Sequence, residues 1–582
     1  MSLGTDSAGN LTDPRSLQGT LTFDGNGKFS FTGQQVIGPN AATAQSGAGG
    51  YSVDPAGFVS MDSPVRPGDI ENVRLGPEGL LGASTDSADS TFDLFAAVPA
   101  PATGSSAAFS GSYWVVSLEF PGGVTANARN SIFSLAPAAG GTLASFSVNG
   151  HAANLDGGAP ATQQVTGGTF TLNADGTGTL SFGAASTASL LSGARNLYMS
   201  ADGNVILGGS TASGSHDFLI GVKAIAGATN ASWNVTGGQS FGAGGLRSSP
   251  GSGSPALAYA GSLSAGGAGS VTWSKRMKVL GQANLDFTAV NSYALNADGS
   301  GALPSALQLM ALGAGGNAFV TSAIDAHDPG AFEIGFGLRM PKMSGSGVFL
   351  NPQGVVNAAS FAPAGNPVAP GEFIALFGSG MAKSLQTAKP PYPTAGLNGV
   401  TVLIDSQPAP VYFVSPGQIN CIVPYGTAGP TATIVVNNGG TNSNTVTVPV
   451  AATAPGMFAV NQGGSGAGAI RHADFTLVSS TSPAVGGETV LLYLTGMGAV
   501  DPPLADGSGG VSGVLNNATA PVTVLVGGYP GTVIFSGLAP GFPGLYQINV
   551  TLPPLPPGAS GSLPLAISTN NAYHDQVTIP IP

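Results

Sequence analysis

The chain has 582 residues, 42% of them hydrophobic and only 8% charged, with a net charge of −12. Ordinary soluble domains carry roughly 25% charged residues, so the polar surface here has to come from Ser, Thr, Asn, Gln and backbone, which suits exposed strands better than helices. Sixteen scattered basic residues exclude a nucleic-acid footprint, the lone Cys421 excludes an intrachain disulfide framework or a cysteine-rich metal site, and the absence of any apolar run of about 18 residues excludes a transmembrane helix.

At roughly 100 to 200 residues per domain, the length predicts four or five domains. The 91 glycines and 44 prolines punctuate short runs of Val, Ile, Leu, Phe, Tyr and Thr, the pattern of many short strands. The chain opens on Met1-Ser2-Leu3-Gly4-Thr5-Asp6, which is no signal peptide. For an exported protein the expectation is a signal that was removed or lies outside this chain.

Residues 1–103, 104–227 and 228–344 read as three related β repeats. Tyr51-Ser52-Val53-Asp54-Pro55-Ala56-Gly57, Phe170-Thr171-Leu172-Asn173-Ala174-Asp175-Gly176 and Tyr293-Ala294-Leu295-Asn296-Ala297-Asp298-Gly299 recur at about 120-residue intervals. A strand pair follows each motif (72–85, 196–211, 309–322), and each repeat closes on an apolar strand (92–98, 218–222, 332–338). The middle repeat shows eight strands joined by short hairpins, which predicts an up-and-down barrel, with a flatter sandwich as the alternative. Asp24-Gly25, Asp175-Gly176 and Asp298-Gly299 read as tight hairpin turns. They lack the succession of acidic ligands that calcium requires.

The second repeat opens with Phe109-Ser110-Gly111-Ser112-Tyr113-Trp114-Val115-Val116-Ser117-Leu118 and the third with Asn230-Ala231-Ser232-Trp233. Trp114 and Trp233 take matching positions on this reading, which points to core or barrel-plugging roles, with stacking on a glycan as the alternative. Met1-Ser2-Leu3 aligns with Val116-Ser117-Leu118, so most of the first repeat's opening strand is missing. The expected consequence is an unpaired strand edge, either because the upstream part of an exported precursor lies outside this chain or its start is misplaced, or because another chain covers the edge by β-augmentation in a head-to-tail assembly.

Residues 345–455 and 456–582 form a duplicated pair. Val368-Ala369-Pro370-Gly371-Glu372-Phe373-Ile374 returns as Ala484-Val485-Gly486-Gly487-Glu488-Thr489-Val490, Val400-Thr401-Val402 as Val522-Thr523-Val524, and Gln418-Ile419-Asn420 as Gln547-Ile548-Asn549. About seven short strands per copy predict two tandem immunoglobulin-like sandwiches. With Gly354-Val355-Val356-Asn357-Ala358-Ala359-Ser360-Phe361 and Phe535-Ser536-Gly537-Leu538-Ala539-Pro540-Gly541, this region resembles the uncharacterised C-terminal domain of secreted acidobacterial (Solibacter-type) proteins. That module in turn resembles paired IPT/TIG immunoglobulin-like domains. The resemblance implies an exported protein carrying a non-enzymatic module, with no binding residues to transfer.

No catalytic, cofactor-binding or metal-binding residues are expected. His216-Asp217, His327-Asp328 and His574-Asp575 are adjacent pairs whose members point to opposite faces of a strand. His151 and His472 have no patterned partners. Gly238-Gln239-Ser240-Phe241-Gly242 matches a nucleophile elbow in letters only, because no helix follows it. The expected role is a non-enzymatic extracellular or cell-surface structural or adhesive protein. Its partners are copies of itself, assembled through strand edges, or matrix and glycan. The rival expectation is a glycan- or small-ligand-binding protein that uses the N-terminal barrels. Filled barrel interiors favour the first, and an enclosed pocket favours the second.

Overall fold

Alternation along the strands sets their faces. In Lys28–Ile37, Phe29 and Phe31 are buried while Lys28, Ser30 and Thr32 are exposed, because successive side chains leave a pleated strand on opposite sides. The computed structural model describes the whole chain except residues 86–89, 103–108, 236–238, 250–251, 253–254, 305–307, 324–329, 511–512 and 556–557. The fold is all-β, and the chain divides into two units. The first comprises residues 1–271, 276–284 and 291–341, the second residues 272–275, 285–290 and 342–582.

Within the first unit each repeat is a curled antiparallel sheet. The first runs in the order Thr91–Asp93, Ser2–Thr5, Leu11–Phe23, Lys28–Ile37, Thr43–Val53, Phe58–Asp62, Ile70–Gly76, Gly79–Ala83, Phe95–Ala97. Its two end members are halves of one stretch broken at Leu94, so the sheet returns on itself and is barrel-like. In the second repeat Tyr113–Phe120 lies between Arg129–Leu135 and His216–Lys223. In the third, Phe241–Ser248 lies between Ala256–Ala265 and Phe332–Arg339.

Register relates the three opening strands and corrects the sequence alignment. Ser2 pairs with Asp93 and Arg15, as Glu119 pairs with Asp217 and Arg129. Met1-Ser2-Leu3 therefore takes the places of Leu118-Glu119-Phe120, two residues beyond the expected alignment. Arg247, opposite Glu333, holds the same place in the third repeat, whose opening strand is Phe241–Ser248. Asn230–Ser232, expected to belong to that strand, is a short 3-10 turn. Trp233 follows that turn and is not the counterpart of Trp114.

The outward faces of these strands pack into one shared core. Leu3 and Phe92 from the first repeat join Leu118 and Ile220 from the second and Leu246 and Phe336 from the third. All six are buried, and each contributes about 1.5–3 kcal/mol of transfer free energy. The inward faces form separate interiors. Tyr113, Phe133, Phe146 and Phe182 fill the second repeat. In the third, Trp233 lies 4.8 Å from Tyr293 and 5.0 Å from Phe319, ring to ring.

In the second unit Phe349–Asn357, Phe373–Ser379, Gln418–Ile422 and Val411–Val414 form one sheet, and Val400–Ile404, Thr431–Asn438 and Val446–Pro449 another. Val402, Ile434, Ile374 and Cys421 meet between them. A second pair of sheets follows, with Thr489–Thr495, Tyr546–Thr551 and Thr532–Leu538 in one and Thr523–Val526, Gly561–Ser568 and Ala572–Ile581 in the other. Val490, Ile548, Val524 and Ile579 meet between these. The duplicated Gln-Ile-Asn motif keeps its geometry. Gln418 Nε2 donates to Asn420 Oδ1 at 2.7 Å, and Gln547 Nε2 to Asn549 Oδ1 at 2.7 Å.

Candidate functional site

The residues singled out in the sequence are held by bonds to other parts of the fold or within their own turns. His216 is buried in the first unit. Its Nε2 donates to the Gly38 carbonyl at 2.9 Å, which leaves Nδ1 to accept from Ser16 Oγ at 3.1 Å. Burial lowers its pKa, so the ring is neutral and bridges two repeats. Asp217 turns the other way and meets Arg195. His151 donates from Nδ1 to the Gly158 carbonyl at 3.2 Å and packs 4.7 Å from the Phe332 ring. His327 and Asp328 lie outside the described residues, as does Gly238. Ser240 is buried, its hydroxyl 3.4 Å from Met340 Sδ, and a strand follows it.

The Asp-Gly segments are hairpin turns. Asp24 Oδ1 accepts the Asn26 and Lys28 amides, Asp175 Oδ1 the Thr177 amide and Asp298 Oδ1 the Ser300 amide, at 2.7 to 3.0 Å. Gly176 and Gly299 sit at φ of 81° and 83°, where a side chain would be strained. Among the described residues no group of three or more His, Cys, Asp or Glu is placed to hold a metal ion.

Three polar clusters escape sequence reading, the first two because their members are far apart in the chain and the third because its members, within 16 residues, follow no motif spacing. The first lies in the second repeat, where Arg195 donates from Nη2 to Glu119 Oε2 at 2.9 Å and its Nε meets Asp217. Burial pushes the Glu119 carboxyl up. Burial works against the Arg195 charge, yet Asp217 and Glu119 together hold it above its ordinary value. In a chain only 8% charged, charges inside predicted strands were the available signal. The second cluster joins all three repeats: Glu78 Oε1 accepts from Asn204 at 3.4 Å and Asn317 at 3.3 Å. Burial, then Asp202, pushes the Glu78 carboxyl up to about 7.

The third cluster has the composition of a catalytic triad. His472 Nδ1 meets Glu488 Oε1, and Ser482 Oγ lies 3.2 Å from His472 Nε2. An acyl-transfer site also needs backbone donors for the oxyanion. Ser482 N–H is already bonded to Ser479, and Ala484 N–H to the Pro580 carbonyl. Pro483 between them has no N–H. The same arrangement recurs earlier in the chain. Asn357 pairs with Ile374 as His472 pairs with Val490. Asn357 Nδ2 donates to Glu372 Oε1 at 2.9 Å, and Ala369 N–H to Glu372 Oε2 at 2.7 Å. Val485 N–H likewise donates to Glu488 Oε2 at 3.0 Å. His472–Glu488 thus repeats the Asn357–Glu372 clamp.

The first unit also holds a cavity of about 600 Å³, and it belongs to the first repeat. Leu17 and Leu21 of one strand and Phe95 and Ala96 of another wall it, with Phe31, Leu75 and Leu80 inside. Tyr198, Leu207 and Phe218 of the second repeat close its outer side. Ser2–Thr5 spans only part of the space between the walls. Beyond it, Ser16–Phe23 pairs only with Lys28–Ile37, and Phe95–Ala97 only with Gly79–Ala83, among the described residues. The tryptophans take no part. Trp233 and Trp273 are buried, and Trp114 Nε1 donates to the Asp298 carbonyl at 2.9 Å.

Residues 358–450 match the IPT/TIG domain family. No curated protein matches the chain. Among solved structures it is similar to SGBP-B of the Bacteroides ovatus mixed-linkage glucan utilization locus, solved with a mixed-linkage heptasaccharide. Identity is 12% over 46% of this chain and 54% of that chain, with a TM-score of 0.18. This chain thus spans about half the length of that protein. It is also similar to the full extracellular region of Plexin A4, at 7% identity over 98% of this chain and 68% of that one, with a TM-score of 0.13. Neither likeness is close enough to bear on function.

Proposed function

We propose that the chain is a non-enzymatic structural or adhesive protein of the cell surface or extracellular space, with a glycan- or small-ligand-binding role of its N-terminal β repeats as the second reading. In this reading it consists of five modules: β repeats at 1–103, 104–227 and 228–344, then immunoglobulin-like domains at 345–455 and 456–582. The second of these domains is a diverged copy of the IPT/TIG-matching one. The observation that carries the reading is the filled interiors of the second and third repeats, packed with aromatic side chains. The apolar cavity of the first repeat favours the second reading, a small ligand held in that repeat. Tandem β modules, low charge and a serine whose neighbouring amides are already committed support a binding role over a catalytic one. Buried or bonded tryptophans weigh against sugar stacking. The test is attachment of the purified protein to its own cells and matrix, with size-exclusion chromatography and electron microscopy of the same sample. Cell or matrix binding, or ordered self-assembly, is expected. A strictly monomeric protein that binds neither would overturn the proposal.

A further inference from the structure

We infer that the second unit carries two faces that bind a neutral polysaccharide, one on each sheet that holds a Gln-Ile-Asn strand. This rests on the proposed adhesive role and names the chemistry of the matrix partner.

The two faces are built alike. In Gln418–Ile422, Ile419 and Cys421 enter the core between the sheets, so Gln418 and Asn420 point outward. In Tyr546–Thr551, Ile548 and Val550 enter the core, so Gln547 and Asn549 point outward. Cross-strand register sets an aromatic ring beside each amide. Phe377 lies opposite Gln418 and Phe413 opposite Asn420, as Tyr493 lies opposite Gln547 and Phe535 opposite Asn549. A register shift falls at the same place in both sheets, between Val411 and Phe413 and between Val533 and Phe535. The extra residue at each shift is what brings Phe413 and Phe535 outward beside their Asn partners. Unlike Trp233 and Trp273, these rings are partly exposed, and so are the four amides.

The bond from Gln Nε2 to Asn Oδ1 occupies only one side of each amide pair. Among the described residues, Oε1 of Gln418 and Gln547 and Nδ2 of Asn420 and Asn549 make no hydrogen bond within the chain. An acceptor and a donor therefore stand side by side, which answers neighbouring sugar hydroxyls, each of them both donor and acceptor. An anion would leave the Gln oxygens unanswered, and a cation would leave the Asn amides so. The six strands of these faces contain no Asp, Glu, Lys or Arg, so the ligand is neutral. An apolar protein surface would cover the rings but strand the amides in a dry interface. The two rings of a face are two strands and two residues apart, about 12 Å across one sheet surface. A glycan that stacks on both while its hydroxyls reach the amides between them is an extended, flat chain of the β-1,4-linked kind.

The probes are cellohexaose, mannohexaose and xylohexaose, titrated into the full chain by calorimetry. Maltohexaose, whose α-linkage coils the chain, is the comparator. Saturable binding of at least one β-1,4 probe is expected, with a site on each face and maltohexaose at least tenfold weaker. Phe535→Ala should halve the number of sites, and Phe413→Ala combined with Phe535→Ala should weaken binding at least about tenfold. Thermal midpoints identify a variant that has lost its fold. Gln418→Glu with Gln547→Glu, which keeps the rings and the side-chain length but replaces the amide with a charge, should give the same loss. Failure of all three β-1,4 probes, equal binding of maltohexaose, or unchanged binding by both double variants would each overturn the inference. If the probes fail while the chain attaches to cells or matrix, the inference falls and the adhesive role stands. If the probes bind but cells and matrix do not, the reverse holds.

Discussion

Replacing Arg195 with Met tests how much of the second repeat's stability depends on its internal charges. The Arg195 side chain is 6% exposed, and those of Glu119 and Asp217 are 5% and 1% exposed. Removing the guanidinium leaves two carboxylates in an apolar interior, and breaking a buried pair in this way costs about 3–5 kcal/mol. The variant can escape only by protonating them. That route costs about 1.4 kcal/mol per pH unit above each unfolded pKa, or roughly 4 kcal/mol for one carboxyl at pH 7 and 1.5 kcal/mol at pH 5. The deficit should therefore shrink on acidification. Urea unfolding at pH 7 and pH 5, followed through the fluorescence of Trp114 and Trp233, measures both values. Adding Glu119→Gln and Asp217→Asn to the same chain should recover most of the loss, because no uncompensated charge remains. A deficit below about 1 kcal/mol at pH 7, or an equal deficit at both pH values, would refute the reasoning.

Glu78 is held at about 7, above its unfolded value of 4.5. The folded first unit thus binds a proton more tightly than the unfolded chain, and its stability should fall as pH rises from 4.5 towards 7. Glu78→Gln should flatten that slope in thermal midpoints recorded across the range. His574 behaves in the opposite sense: burial lowers it to about 3, so its contribution is complete above pH 6.5 and is lost as pH falls towards 3, by about 1.4 kcal/mol per unit. His574→Leu should blunt acid unfolding of the second unit, and an unchanged acid midpoint would contradict this. The Glu488 hydrogen bond raises His472, so this pair stabilises fully below pH 6.5 and less as pH rises through the raised value. His472→Asn, which copies the Asn357 clamp, should retain the fold and remove that dependence in urea midpoints at pH 5.5 and 8.5. Glu372→Ala strands the Ala369 amide and Asn357 in a dry interior and should cost the immunoglobulin-like domain about 2–4 kcal/mol, read by calorimetry.

Local pattern alone determined the strand class, the curled β sheets of the first unit and the hairpin turns. Alternation such as that of Phe29 and Phe31, Asp-Gly pairs and the returning Gln-Ile-Asn motif are properties of neighbouring residues. The sequence misplaced the register of Met1-Ser2-Leu3 against the second repeat by two residues and took Asn230–Trp233 for a strand. Cross-strand pairing of Ser2 with Asp93 is what fixes the position, and that pairing spans most of the repeat. The tertiary structure decided which faces of the repeats merge into one core, since Leu118 and Tyr113 lie on opposite faces of one strand and look equally apolar in one dimension. It alone assembled Glu119 with Arg195 and Asp217, and Glu78 with Asn204 and Asn317, because a buried charge is stabilised by partners that only folding brings close. It also placed an apolar cavity of about 600 Å³ in the first repeat, because Leu17, Phe31 and Phe95 come to face one another only when the sheet curls.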